Sequence, residues 1–375
     1  MSKPKRIYVI AGEASGDLHA SNLMRAVLEE DNSVDFRYWG GDKMMSVQEG
    51  CVKHIKDLAF MGFLEVIKNI RTILGNISFC KKDILAYKPD ALLLVDYPGF
   101  NLRIAEWAKK NNIKVYYYIS PQVWAWKQSR VHKIKKVVDE MYVILPFEKQ
   151  FYKKFDFDVT FVGHPLIDEI ERFNRLEKLD SQEFKERNKL NSKPIIAVLP
   201  GSRKQEIAKK LPIMLDALSI YDDYQIIIAG APSLDTGFYN EFLIENSKII
   251  FGQTYNLLSH ASAGVVTSGT ATLETALFNV PEVVCYKSSK FSYEIAKRLI
   301  KIKFISLVNL IMDKEVVKEL IQDDCSPAKI RQEMNKILND KSYNDQMHNS
   351  YDELVKKLGS GGASKKVAQS LLKTI

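Results

Sequence analysis

Cysteine is scarce in this 375-residue sequence: Cys51, Cys80, Cys285 and Cys325 stand far apart, with no C-x-x-C pair and no clustered histidines. Such spacing encodes neither a disulfide framework nor a zinc site, and a reducing cytoplasm is the expected compartment. Long apolar runs are missing too. Nothing approaches the roughly 18 consecutive apolar residues that a membrane span requires. The opening "MSKPKRIYVIAGEASGD" has only a short apolar run before Gly12 and Glu13, too brief for a secretory signal. The first apolar run is not followed by G-x-G-x-x-G, which argues against an NAD-dependent oxidoreductase. Neither a repeat at solenoid spacing nor a low-complexity segment occurs.

What is present is an ordinary globular composition. Hydrophobic residues make up 46% of the chain, and 54 basic against 46 acidic residues give a formal charge of +8. The excess is spread through a highly charged surface, so anionic partners are favoured but none is named. At roughly 100–200 residues per domain, about two domains are expected. Short β-branched runs alternate with helical patterns: "RIYVIAG" (6–12), "ALLLVDY" (91–97), "KVYYYIS" (114–120), "EMYVILP" (140–146) and "VTFVGHP" (159–165) read as buried strands. A polar, charged stretch over 166–194 interrupts them. Strands resume at "IIAVLPG" (195–201), "QIIIAGA" (225–231), "KIIFGQ" (248–253), "GVVTSG" (264–269) and "EVVCYK" (282–287). Two successive strand–helix series predict an α/β protein with two parallel sheets and helices on both faces. Ligands of such sheets sit beyond the carboxyl ends of the strands, so the site is expected between the two domains.

The unusual residues fall at those strand ends. "VLPGSRKQEI" (198–207) runs a strand through a tight turn into a helix opened by Ser202 and Arg203, a composition that aims backbone N–H groups and one guanidinium at an anion. "VTSGTATLETALFNVP" (266–281) repeats the device with Ser268, Thr270 and Thr272, and places Glu274 one turn later, where it can accept from a ribose diol. Neither turn is a Walker A sequence. Two anion-ready turns in one sheet suggest a nucleotide diphosphate bound without a P-loop. "VDYPGFN" (95–101) ends an apolar strand in Asp96; desolvation there raises a carboxyl toward the range of a general base, although an Asx-turn would use the same residues. "AGEASGDLHASNLMRAVL" (11–28) offers Glu13, Ser15, Asp17 and His19, which suit either helix capping or a hydroxyl-rich ligand.

Two further stretches admit structural or functional readings. In "SPQVWAWKQSRVHKIKK" (120–136), Trp124 and Trp126 precede a run of cations that fits a packed helix with a solvated basic face, or base stacking with phosphate contacts. "DLAFMGFLEVIKNIRTILGNISF" (57–79) carries Phe60, Phe63, Leu64, Ile67 and Ile70 at helical spacing. That stripe fits core packing, or contact with acyl chains at a membrane surface.

Taken in order, "GEASGD" (12–17), "MGFLEV" (61–66), "DYPGFN" (96–101), "SPQVWAW" (120–126), "VGHPL" (162–166), "LPGSR" (199–203), "SGTATLE" (268–274) and "KFISLVNL" (303–310) resemble the blocks of the lipid-A-disaccharide synthase family, over nearly the whole chain. Some members carry a second acid where Gly99 stands and a proline where Val308 stands, so Asp96 is the one carboxylate carried over from its block. The resemblance implies an inverting glycosyltransferase of the GT-B kind, two Rossmann-like domains with parallel sheets facing across a cleft. It would comprise an acceptor-binding domain over 1–165, rejoined by C-terminal helices over 345–375, and a donor-binding domain over 166–344. The implied reaction joins UDP-2,3-diacylglucosamine to 2,3-diacylglucosamine 1-phosphate, giving a β-1,6 disaccharide and UDP.

On that reading Asp96 is the base and Arg203 stabilises the leaving group. Gly201, Ser202, Arg203, Ser268, Gly269, Thr270, Glu274 and Asn309 hold the donor, while Glu13, Ser15 and Asp17 lie on the acceptor side. No cofactor, metal or nucleic acid is expected. Peripheral contact with the cytoplasmic face of the inner membrane is expected through Phe60, Phe63, Leu64, Ile67 and Ile70, and a homodimer is compatible with the sequence. Two rivals remain open at this point: a UDP-sugar epimerase of the same fold, which would need no acceptor, and a non-enzymatic basic protein that binds membrane surfaces.

Overall fold

The computed structural model describes residues 4–58, 70–289, 293–294, 297 and 302–375. They divide into two compact units, one comprising Met1–Asp168 with Ser360–Ile375 and the other Glu169–Gly359.

The first unit is built on a seven-stranded sheet: β1 (Arg6–Ala11), β2 (Asp35–Gly40), β3 (Cys51–His54), β4 (Ala91–Val95), β5 (Lys114–Tyr118), β6 (Glu140–Val143) and β7 (Thr160–Phe161). Its order is β3-β2-β1-β4-β5-β6-β7, and every pairing is parallel. Parallel strands need crossover helices that cover both faces, which is why Ala91–Val95 can be apolar and buried throughout. Strand order reverses between β1 and β4.

Apolar residues of β1, among them Ile7 and Val9, pack with Leu23, Met24 and Val27 of the helix Ala14–Glu30 and with Ala363, Val367 and Leu371 of the last helix, Ala363–Thr374. Asp168 anchors that last helix by accepting from the N–H groups of Gly362 and Ser364 at 2.5 and 3.2 Å. The rejoining segment begins at Ser360, later than the expected 345. The helix Lys341–Leu358 packs on second-unit helices, and Lys314 pairs with its Glu353 at 3.0 Å.

The second unit holds a six-stranded sheet: β8 (Ile195–Leu199), β9 (Gln225–Gly230), β10 (Ser247–Phe251), β11 (Ala261–Thr267), β12 (Glu282–Tyr286) and β13 (Lys318–Ile321). The order is β10-β9-β8-β11-β12-β13, again all parallel, and it reverses between β8 and β11. Each unit is therefore a Rossmann-like α/β layer structure with a topological switch point, the place where such sheets open to a ligand. Among the described residues no helix is long and apolar enough to cross a membrane.

Candidate functional site

At the first switch point the carboxyl ends of β1 and β4 lie side by side, Ala11 pairing with Val95. The chain leaves β4 through two consecutive left-handed residues, Asp96 (φ 46°) and Tyr97 (φ 49°), before Pro98 opens the helix Pro98–Lys110. Non-glycine residues in that region cost energy and persist only where the surroundings fix them. Here the Asp96 carbonyl accepts from Asn101 Nδ2 at 2.7 Å and from the Tyr117 hydroxyl at 2.6 Å, while its N–H donates to Tyr118 O at 3.0 Å. The Tyr97 ring lies directly on Gly12, where a Cβ would come within 2.3 Å of Tyr97 Cδ1; glycine is required by this close approach. With the backbone so held, the Asp96 side chain is half-buried. Burial, and then the neighbouring Glu13, push its pKa up to about 6.

The other residues expected on this side separate. Glu13 is half-buried beside Asp96 and begins the helix Ala14–Glu30 without a side-chain cap; Ser15 is exposed in the first turn. Asp17 is not available to a ligand. It is 4% exposed, with one oxygen accepting from Gly41 N at 2.6 Å and Met44 N at 3.1 Å and the other from Lys43 N at 3.1 Å. Its carboxylate caps the short helix Asp42–Met45 rather than its own. His164 of "VGHPL" is buried, and burial with the nearby His19 holds its pKa down to about 3, so it is neutral.

At the second switch point two strand–turn–helix units meet. Gly201 follows β8 with φ 118°, and Gly269 follows β11 with φ 150° as the N-cap of the helix Thr270–Leu277. Arg203 is the N-cap of the helix Lys204–Leu218. Its Nη1 pairs with Glu206 Oε1 at 3.1 Å, and its side chain is 62% exposed. The turns bring Gly201, Ser202 and Arg203 together with Ser268, Gly269, Thr270 and Glu274 around one cavity of about 470 Å³. The cavity has helix N-termini and a guanidinium at its mouth, the donors an anion needs. Glu274 lies deeper, accepting from the Tyr255 hydroxyl at 2.9 Å, and burial raises its pKa. The hydroxyl of Thr272 turns inward to Gly269 O at 2.9 Å and is not offered to the cavity.

Asn309, expected among the donor contacts, is fully buried. Its Nδ2 donates to Val317 O and Glu319 Oε1 at 2.8 and 2.9 Å, and its Oδ1 accepts from Val316 N and Val317 N at 2.7 and 3.0 Å. Both ends of the amide are satisfied by the protein, so Asn309 ties β13 to the helix Leu307–Met312.

Lys210 escaped the sequence reading. It is 3% exposed, its Nζ bonds Thr267 Oγ1 and stands 4.0 Å from Glu206 Oε2, and burial lowers its pKa. A signal existed: Lys210 falls on the apolar face set by Ile207, Leu211 and Met214, where a lysine has no ordinary place. Tyr255 was missed for lack of any motif around it.

Phe60, Phe63, Leu64 and Ile67 lie outside the described residues, as does the side chain of Ile70. The helix Ile70–Tyr87 that follows exposes Leu74 and Leu85, which about three turns of helix bring onto one face. In the basic segment, Trp124 meets Phe147 edge-on at 5.0 Å, while Lys127 and Arg130 sit over the Trp126 ring at 4.6 and 5.1 Å.

Residues 7–373 match a family model described as lipid-A-disaccharide synthetase. Among curated proteins, the lipid-A-disaccharide synthase of Trichlorobacter lovleyi is 37% identical over 385 aligned positions, covering 100% of this chain and 99% of the relative. That of Syntrophus aciditrophicus is 38% identical, covering 99% and 98%. Among solved structures, UDP-GlcNAc 2-epimerase of Neisseria meningitidis superposes with a TM-score of 0.68 at 15% identity, covering 98% of this chain and 100% of that one. The calicheamicin glycosyltransferase CalG4 gives 0.63, also at 15% identity, with both chains fully covered. At such identities the last two speak for the fold alone.

Proposed function

The chain belongs to the lipid-A-disaccharide synthase family, and from that premise we propose a division of labour between its two switch points. The protein is a glycosyltransferase: it transfers 2,3-diacylglucosamine from the UDP derivative to 2,3-diacylglucosamine 1-phosphate, forming the β-1,6 disaccharide and releasing UDP. Transfer inverts the anomeric centre. The acceptor oxygen attacks the anomeric carbon as the bond to UDP breaks, its proton goes to a base, and the bond's electron pair leaves with the diphosphate.

Asp96 is the base. Its raised pKa makes it a stronger proton acceptor than an exposed aspartate while leaving it ionised at neutral pH. Glu13 beside it and exposed Ser15 are the acceptor-side contacts that remain once Asp17 is committed to capping. Arg203, with the N–H groups around Ser202, Gly269 and Thr270, neutralises the charge that grows on the departing diphosphate. Its planar fork offers two parallel donors where a lysine would offer a point charge. Glu274, which lines the same cavity, accepts from the ribose hydroxyls. The observation that carries this reading is the cavity that gathers these donors and Glu274 at one switch point.

Both substrates carry acyl chains, so the protein works at a membrane surface as a peripheral partner of the inner membrane's cytoplasmic leaflet. Exposed Leu74 and Leu85 support an apolar contact there. The test is UDP release from UDP-2,3-diacylglucosamine with and without the acyl-sugar phosphate. The transferase reading requires release that depends on the acceptor and a disaccharide product. Release, or isomerised sugar nucleotide, without any acceptor would favour the epimerase reading, which needs UDP-sugar and no acceptor.

A further inference from the structure

Beside the donor cavity the second unit holds a smaller one, about 280 Å³, and Glu206 and Ser268 line both. Its charged lining consists of Lys209, Lys210, Lys287 and the single carboxylate of Glu206. That carboxylate already pairs with Arg203 at 3.1 Å. The Lys210 side chain is 4% exposed, and among the described residues its ammonium meets Thr267 Oγ1 and, at 4.0 Å, the Glu206 oxygen. Lys287 Nζ reaches the carbonyl of Cys325 at 3.4 Å. Among the described residues neither Lys209 nor Lys287 has a carboxylate within ion-pair distance, so positive charge is in excess here.

The donor groups differ in kind from those of the larger cavity. The N–H of Ser268 is occupied by Cys285 O at 3.2 Å, and that of Ser288 by Gln322 Oε1 at 2.8 Å. With those two N–H groups committed, attraction for an anion among the described residues comes from ammonium groups on long stems. A phosphate monoester matches this set: it carries close to two negative charges at neutral pH and presents three terminal oxygens. A diphosphate bridging two sugars is instead matched by the helix N-termini next door.

We propose that this cavity is a phosphate-monoester site, separate from the diphosphate seat it adjoins. Two sources share that chemistry: the anomeric phosphate of the acceptor, which rests on the transferase reading, and free inorganic phosphate, which does not.

The experiment titrates the intact protein, already saturated with UDP, with inorganic phosphate and in parallel with glucosamine 1-phosphate, at constant ionic strength and by calorimetry. Both should bind with UDP in place. Lys209→Ala and Lys287→Ala, which alter exposed or half-buried side chains, should each weaken phosphate by about tenfold while leaving UDP affinity unchanged. Glucosamine 1-phosphate binding at least about tenfold tighter than phosphate would assign the site to the acceptor, and equal affinities would assign it to free phosphate. Phosphate that competes with UDP, or that ignores both substitutions, would overturn the site. UDP release measured on the same preparation separates the two readings, since a protein that binds phosphate beside UDP but transfers no sugar keeps the site and loses the transferase.

Discussion

At its switch point the first unit leaves β4 through two left-handed residues that are not glycine, whereas the second leaves β8 and β11 through glycines at φ 118° and 150°. The sheets share one topology, yet the turns have opposite effects. Glycines let the chain fold back and point open N–H groups outward, which gathers positive potential for an anion. Asp96 and Tyr97 instead hold a carboxylate in a strained, half-buried position beside Glu13, which makes it basic. The position of a turn in the sheet marks an open strand end; the residues in the turn decide whether a carboxylate or a glycine-shaped helix start stands there.

The sharpest way to break this contrast is Asp96→Asn. If the first turn supplies only basicity, turnover should fall by about a thousandfold in a single-turnover assay while UDP affinity stays within about threefold. Activity within tenfold of the parent would remove Asp96 from the base role. The pH profile refines the same point. The active carboxyl is the deprotonated one, so kcat/KM should be flat above about 6 and fall about tenfold per unit below it. The folded pKa lies above that of an unfolded aspartate, so this group favours folding at acid pH and loses that contribution as pH rises to about 6. Asp96→Asn should therefore melt higher than the parent at pH 7.5, an opposite movement of stability and activity that simple misfolding would not give.

In the second unit, Arg203→Lys keeps the charge and loses the fork, and kcat should drop by roughly a hundredfold with little change in stability. Unchanged kcat would place leaving-group stabilisation elsewhere. Gly201→Ala tests the glycine side of the contrast. A Cβ there would lie 3.3 Å from Glu206 Oε2 on a backbone that side chains rarely adopt, and UDP affinity should weaken by about tenfold. Equal UDP affinity would mean that the turn's conformation is not what seats the anion.

The smallest expected effect concerns a control carboxyl. Glu282 opens β12, at the amino end of its strand, fully buried, with no hydrogen-bond partner for either oxygen among the described residues; burial pushes its pKa far up. It has the perturbation of a catalytic acid without its position. Because its folded pKa exceeds the unfolded value, stability is lost as pH rises above the ordinary glutamate range. Glu282→Met should thus raise stability by ~1–3 kcal/mol near pH 8, less near pH 5, and leave transfer untouched. Urea unfolding at both pH values checks the first part; a loss of turnover would contradict the second.

Which of this could be read from the sequence follows from how each residue meets its neighbours. Strands buried on both faces announce themselves as apolar runs, so β4, β8 and β11 were legible. β2, "DFRYWG", was not, because Arg37 reaches Asp83 at 2.6 Å from within the strand; nor were the short polar strands β3 and β13. Strand–turn–helix chemistry singled out Gly201, Arg203 and Gly269, which line one cavity, because glycine and a helix start act through the local backbone. Asp17 and Asn309 sit in equally suggestive blocks, but their partners lie in other segments, Gly41 and Val317 among them. A polar side chain in a motif can serve the protein or a ligand, and only its surroundings decide which.

The return of the last helix to the first unit bears on how the molecule is made. Leu23, Met24 and Val27 are covered in part by Val367 and Leu371, so a growing chain carries that face bare while everything from Glu169 to Gly359 is being synthesised. The second unit has all its strands by Ile321 and all its residues by Gly359. The half of the protein translated first is thus the half completed last, and a ribosome that stops just past Leu358 releases a finished second unit joined to a first unit still missing its closing helix.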